Sequence, residues 1–510
     1  MSLRELPARP NLEHLKKQGR KLLREFLQDD PAAVGRFRDA ASAPPAGRSA
    51  KLADALHVIA REYGFESWPK LKARIESLSE DPVEALTAAI NADDAALVRE
   101  VIVRHPVLKT KLDEPLPKFG FDTPALIGAV NKGNRAVIDA LLEAGANINA
   151  RTKWWAGGFG VLDNCSPELA AFLIECGASV DVHAAARLGM LERVKELVEA
   201  DPALVDARGG DGERPLHFAA NIEIAEYLLE CGAEIDARDV DHESTATQYM
   251  AAHRPRRPEV AKYLLSRGAK SDILMAAALG DVERVRRHLD EDSTSVGMSV
   301  SERDFPKENP RSGGSIYIYG FGWSKTPHML AREFGHDEVF RLLMERSPLE
   351  LQLAQACEMG DEALAKELLA RDPELGKKLS AETKQGVVGA ALRNNATAVR
   401  MMLAAGWPED ARGDNGQTPL HWAGFHGNVE MVRDLLRHHA PLEVQERQFK
   451  GTPLGWALYG SEHGWYREKG DYPGVVRTLL AAGAKAPEDI DRVDATEEVL
   501  AVLRSRSNRV

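Results

Sequence analysis

Asp239, Asp241, His242 and Glu243 lie within one short turn, DARDVDHEST, of this 510-residue sequence. Carboxylates beside an imidazole can hold a metal ion or exchange protons as general acid and base. The same residue types are ordinary turn formers, because Asp side chains accept hydrogen bonds from nearby backbone amides. Both readings stay open. His242 stands where an Asp-Gly turn would place glycine, so a positive φ is expected there, at a cost of about 1 kcal/mol.

Aromatic residues are scarce, 31 in the whole chain. Yet Trp154, Trp155, Phe159, Phe305, Tyr317, Tyr319, Phe321 and Trp323 gather in two glycine-bearing segments, 152–160 and 305–323. Clustered exposed aromatics mark binding surfaces, and the alternative is that they fill space against neighbouring helices. The expectation is that the two segments meet across the concave face and form the main ligand site, with the longer loop able to fold over Asp241 and His242. The ligand-binding set is then Trp154, Trp155, Phe159, Asp241, His242, Tyr317, Tyr319, Phe321 and Trp323.

No nucleophile elbow, phosphate loop, dinucleotide fingerprint or HExxH is present, so neither a catalytic residue nor a cofactor nor a metal is assigned. The four cysteines lie far apart with no CxxC pair, which fits a reducing cytoplasm. No run of 18 apolar residues occurs, and the first residues lack the apolar core of a signal peptide. A cytoplasmic protein without a membrane partner is expected. Residues 1–80 hold 15 Lys and Arg against 11 Asp and Glu, and the remainder holds 51 against 67. The acidic body argues against phosphate binding, so nucleic acid is not an expected partner.

The elements that must position these residues are helices in pairs. In DNGQTPLHWAGFHGNVEMVRDLLR, Thr418 and Pro419 start a short helix, Gly427 breaks it, and Val429, Val432, Leu435 and Leu436 recur at helical spacing. Near-copies stand at 121–151, 209–239, 325–347 and 451–485. A second kind of pair alternates with them, with breaks at Ala92, Gly189, Gly280 and Gly360. One pair cannot bury its own apolar face, so the copies must stack. His217 and His421 recur at one position of the copies.

With Thr418, Pro419, Leu420, His421 and Ala423 in place, the sequence resembles the ankyrin repeat family, of a bacterial type with a helical head and degenerate repeats. The motif departs at Arg214, at His328 in the Leu position, and at Gly455. The resemblance implies an all-α fold, an ankyrin-type α-solenoid with short β-hairpin fingers and an N-terminal helical cap. Residues 1–80 form the cap, and 81–490 the array of roughly twelve helix pairs, with insertions at 291–324 and 460–474. Residues 491–510 form a C-terminal helix and tail. Within the head, "APPAG" at 43–47 is a loop. Residues 52–78 loosely resemble a helix-turn-helix, which would place Lys70, Lys72 and Arg74 on phosphates; the other reading is a cap. The resemblance is specific for fold and nearly silent on function, so two readings are kept, the first a noncatalytic scaffold that recognises a protein or peptide through its concave face and fingers. The alternative is a small-molecule or enzymatic site where the finger aromatics meet Asp239–Glu243.

Overall fold

The computed structural model describes residues 4–7, 10–40, 50 and 52–507, and the expected loop at 43–47 lies outside them. The described residues form α-helices and short 3-10 turns, with no strand. The fold is all-α, as the repeat pattern requires. The hairpin fingers are corrected to turns, each closed by at most an isolated bridge, Pro115 with Pro124 and Arg238 with Thr245. Proline has no N–H for a ladder, and in the 239–245 turn the amides of Val240 and Asp241 are spent sideways on the preceding finger.

The chain divides into two compact units, one of residues up to Ser271 with Phe305–Gly320, the other of Asp272–Asp304 with Phe321 onward. The first unit opens with helices Leu12–Leu27, Pro31–Ala40, Leu52–Glu62 and Trp68–Glu76. Leu22, Phe37, Ile59 and Leu71 form their core. Ser67 caps the last of them by accepting from the Lys70 amide. Ala73 packs with Ala85, Leu86 and Ala89 of the next helix. Lys70 pairs with Glu66, Lys72 with Glu76 at 3.7 Å and Arg74 with Glu100 at 2.7 Å. The segment 157–182 keeps one helix, Pro167–Glu175, where other repeats have two.

A histidine joins successive fingers. His217 Nδ1 accepts from the Arg214 amide at 3.2 Å, and its Nε2 reaches the Ser244 carbonyl at 3.2 Å. In the second unit His421 does the same with the Thr418 amide and the Gly451 carbonyl, at 3.0 and 3.1 Å. A second regularity is conformational. The residue two before the motif threonine has positive φ in six fingers: Phe121 (62°), Gly212 (72°), Glu243 (49°), Ser324 (59°), Gly416 (80°) and Lys450 (56°). The expectation for His242 is therefore corrected by one residue. Glu243 takes the left-handed position, and His242 aligns with Asp211 and Asn415.

The second unit stacks helix pairs from Ile273–Leu279 with Val282–Glu291 to Pro453–His463 with Tyr472–Ala481, followed by Glu497–Ser507. Its helix Pro453–His463 runs into the second insertion, where Trp465 stacks on Trp422 at 5.9 Å and stays largely exposed.

Candidate ligand site on the fingers of the first unit

Four loops lie side by side in the first unit, joined by backbone bonds that run across the repeats. The Gly157 carbonyl accepts from the Asp211 amide at 3.3 Å. The Asp211 carbonyl accepts from the amides of Val240 and Asp241 at 2.9 and 3.1 Å. The Asp241 carbonyl accepts from the Gly313 amide at 2.9 Å and the Ser312 hydroxyl at 2.6 Å. The long insertion thus continues the row of fingers instead of projecting away. Gly157, at φ 150°, is required here, because a Cβ would collide with the Gly209 carbonyl oxygen.

This row places His242 among carboxylates. Its Nδ1–H donates to the Gly314 carbonyl at 3.0 Å, and its Nε2 lies 3.6 Å from Asp211 and 3.7 Å from Asp241. Asp239 lies beneath, accepting from the amides of His242 (2.6 Å) and Ser244 (2.7 Å) and from the Tyr249 hydroxyl (3.3 Å). Tyr319 covers the imidazole edge-on at 4.9 Å, and its hydroxyl donates to Gly313 at 3.1 Å. Tyr319 is 59% exposed, while Asp241 is 6% exposed. The cluster is an acidic floor under an open aromatic ring.

Charge and burial compete at each group. Burial opposes a charge on His242, but the Asp211 hydrogen bond and the Asp239 charge outweigh it and hold the imidazole up to about 9. Burial raises Asp239 and Asp241 from their ordinary value. Burial, then the Asp239 and Asp211 charges, push Glu213 well above its own. Burial and its acidic neighbours thus favour the protonated form of Glu213, while Asp211 and Asp239 favour the imidazolium form of His242. One oxygen of Asp211 is buried with no hydrogen-bond partner. Ligand atoms of Asp211, Asp241 and His242 lie within 4.8 Å of one another, the spacing a cation would need. The imidazolium already supplies positive charge there.

The aromatic expectations divide. Trp155 lies under the Arg311 guanidinium, 4.5 Å from ring centre to Cζ, so segments 152–160 and 305–320 do meet. Trp154 packs between Phe121 (4.7 Å) and Trp155 (6.1 Å), and Phe159 meets Phe121 at 5.8 Å. Tyr317 is fully buried against Phe305 at 5.2 Å and offers no surface. Phe321 and Trp323 belong to the second unit, where Phe321 is buried near Phe334 and Trp323 is exposed. Glu243 anchors the insertion, accepting from the amides of Glu308 (2.8 Å) and Asn309 (2.7 Å).

Asp211, Glu213, Tyr249 and Arg311 were not singled out from the sequence. The signal for Asp211 was present in the register: it precedes Arg214 by three residues, as His242 precedes Thr245. Stacked fingers bring equivalent positions together.

Family profiles described as ankyrin repeats (3 copies) match residues 161–239, 182–276, 353–448 and 387–487, and a profile described as ankyrin repeat matches 123–153. Together these cover more than half of the chain. Curated relatives include the ankyrin repeat and SAM domain-containing protein 6 of Mus musculus, 34% identical over 103 residues, and that of Rattus norvegicus, 33% identical over 103 residues. Each match covers 20% of this chain and 11% of the relative. No described helix is long and apolar enough to cross a membrane.

Proposed function

Because this chain belongs to the ankyrin repeat family, whose repeats are generally protein-interaction modules, we propose that it is a noncatalytic scaffold whose first-unit fingers bind a basic peptide segment of a protein partner. The observation that carries this reading is Tyr319, an exposed ring standing over the Asp211–Asp241 floor. Exposed aromatics beside carboxylates suit Lys and Arg, through ring-face contact and charge-assisted hydrogen bonds. The protein's own Arg311 on Trp155 is an internal example of that contact. His242 and its carboxylates are engaged with one another, which favours binding over catalysis. A small cationic ligand at the same floor is the second reading, favoured by the unpartnered Asp211 oxygen.

The test is selection of a displayed random peptide library on the full chain. Peptides enriched in Lys and Arg are expected, with affinity falling at least about tenfold, or 1.4 kcal/mol, in Tyr319→Ala and Trp155→Ala. Circular dichroism should be unchanged in both. Enrichment of acidic peptides, or binding indifferent to both substitutions, overturns the proposal. Tight binding of small amines without any peptide selectivity favours the second reading.

A further inference from the structure

The second unit contains a fault in its stacking. Only Ser347 and Pro348 join helix Asp337–Arg346 to helix Leu349–Met359, so no finger stands at this junction. The buried core is divided at the same place. One cluster runs from Ile273 to Leu343 and another starts at Leu353, with half-buried Leu351 packed against both. A cleft of about 390 Å³ remains, lined in part by His328, Arg332, Phe340, Gln355, Glu358 and Arg393. That volume lies within the range of small-molecule sites.

The lining carries unspent polar groups. Gln355 is 3% exposed, and it lines the cleft. His328 occupies the place where the repeat motif has leucine, and it is fully buried. Its Nε2 meets the Ser347 oxygen at 2.9 Å, and the Ser347 hydroxyl donates to the Leu343 carbonyl at 2.7 Å. Nε2 therefore carries the proton, and Nδ1 is an acceptor without a partner.

The charges are also unequal. Lys325 pairs with Glu333 at 2.5 Å, and Arg393 pairs with Glu358. Among the described residues the Arg332 guanidinium has no carboxylate partner, and it lies over the Phe340 ring at 5.2 Å. Among the described residues the cleft thus offers the unpaired charge of Arg332, the Gln355 amide in its lining and an apolar wall of Phe340, Met329 and Met359.

We propose that this cleft is a binding site for a small organic monocarboxylate with an apolar or aromatic body, its carboxylate held by Arg332 and Gln355 and its body lying along Phe340. The site is separate in residues and in charge from the acidic fingers of the first unit.

The test is ligand-observed fluorine NMR on the full chain with 4-fluorobenzoate, using 4-fluorobenzyl alcohol and 4-fluorobenzylamine as neutral and cationic controls. Saturable binding of the benzoate, in the millimolar range or tighter, is expected, with the amine at least tenfold weaker. Arg332→Ala, an exposed position that does not endanger folding, should weaken it about tenfold, and Gln355→Leu about fivefold. Arg286→Ala, on an outer helix, should leave it unchanged. Absence of saturable benzoate binding, equal binding of the amine, or indifference to Arg332→Ala overturns the proposal. Failure of Gln355→Leu to fold leaves the Arg332 result decisive.

Discussion

Replacing His242 with leucine removes the positive charge that lies 3.6 Å from Asp211 and 3.7 Å from Asp241. Removing one partner of a buried ion pair costs about 3–5 kcal/mol, because the remaining charges stay desolvated. An independent route gives a similar figure. The imidazole titrates at 6.5 in the open chain and about 9 in the fold, a rise that corresponds to about 3 kcal/mol. The sign follows from linkage. A base whose folded value is raised contributes stability that is complete below pH 6.5 and is lost as pH rises through 9. His242→Leu should therefore lose about 3 kcal/mol at pH 6 and much less at pH 10. Hydrogen exchange read on peptides covering 239–245 and 305–320 reports the opening of this row of loops directly. At pH 6 the variant should open about a hundredfold more readily than the wild type. Buried Glu213 also responds to pH, so the comparison rests on the difference between the two proteins. A loss below 1 kcal/mol at pH 6, or a difference independent of pH, refutes the imidazolium at the centre of the cluster.

Gly157→Ala should cost 2 kcal/mol or more in urea unfolding, through the collision with the Gly209 carbonyl; an unchanged midpoint contradicts the lateral packing of the fingers. Lys450→Gly should stabilise the second unit by about 0.5–1 kcal/mol, because Lys450 is exposed and held at φ 56°. Burial lowers His217, His328 and His421 to about 4, so the stability they contribute is present above pH 6.5 and lost as pH falls through 4. His328→Leu, which restores the motif residue, should lose less thermal stability than the wild type between pH 7 and pH 4.5.

Much of the fold was legible because repetition exposes it. Thr418-Pro419, the glycine break at Gly427 and the apolar spacing after Val429 define one helix pair, and copies imply stacking. The fingers were harder to read. Glu243 stands two residues before Thr245 as Gly416 stands two before Thr418, but it is not glycine, so the left-handed position was placed one residue early, at His242. Contacts across repeats were harder still. Asp211 lies 31 residues before His242 and shares no local pattern with it; only the register of the stack places them together. The insertion was recognisable by its aromatics, but which rings it buries depends on its helix Ile316–Gly320, which turns Tyr317 inward and leaves Tyr319 outside. Gln355 and Arg332 gave no signal at all, because which side chains line a cleft is a property of packing.

On the proposed function, the first-unit fingers receive a basic segment over Tyr319 and the Asp211–Asp241 floor. The most direct measurement is a hydrogen-exchange footprint of the full chain saturated with a selected Lys- and Arg-rich peptide. Protection at 152–160, 239–245 and 305–320 together is the predicted result. Protection confined to other repeats, such as 451–485, with these three segments unchanged, contradicts it.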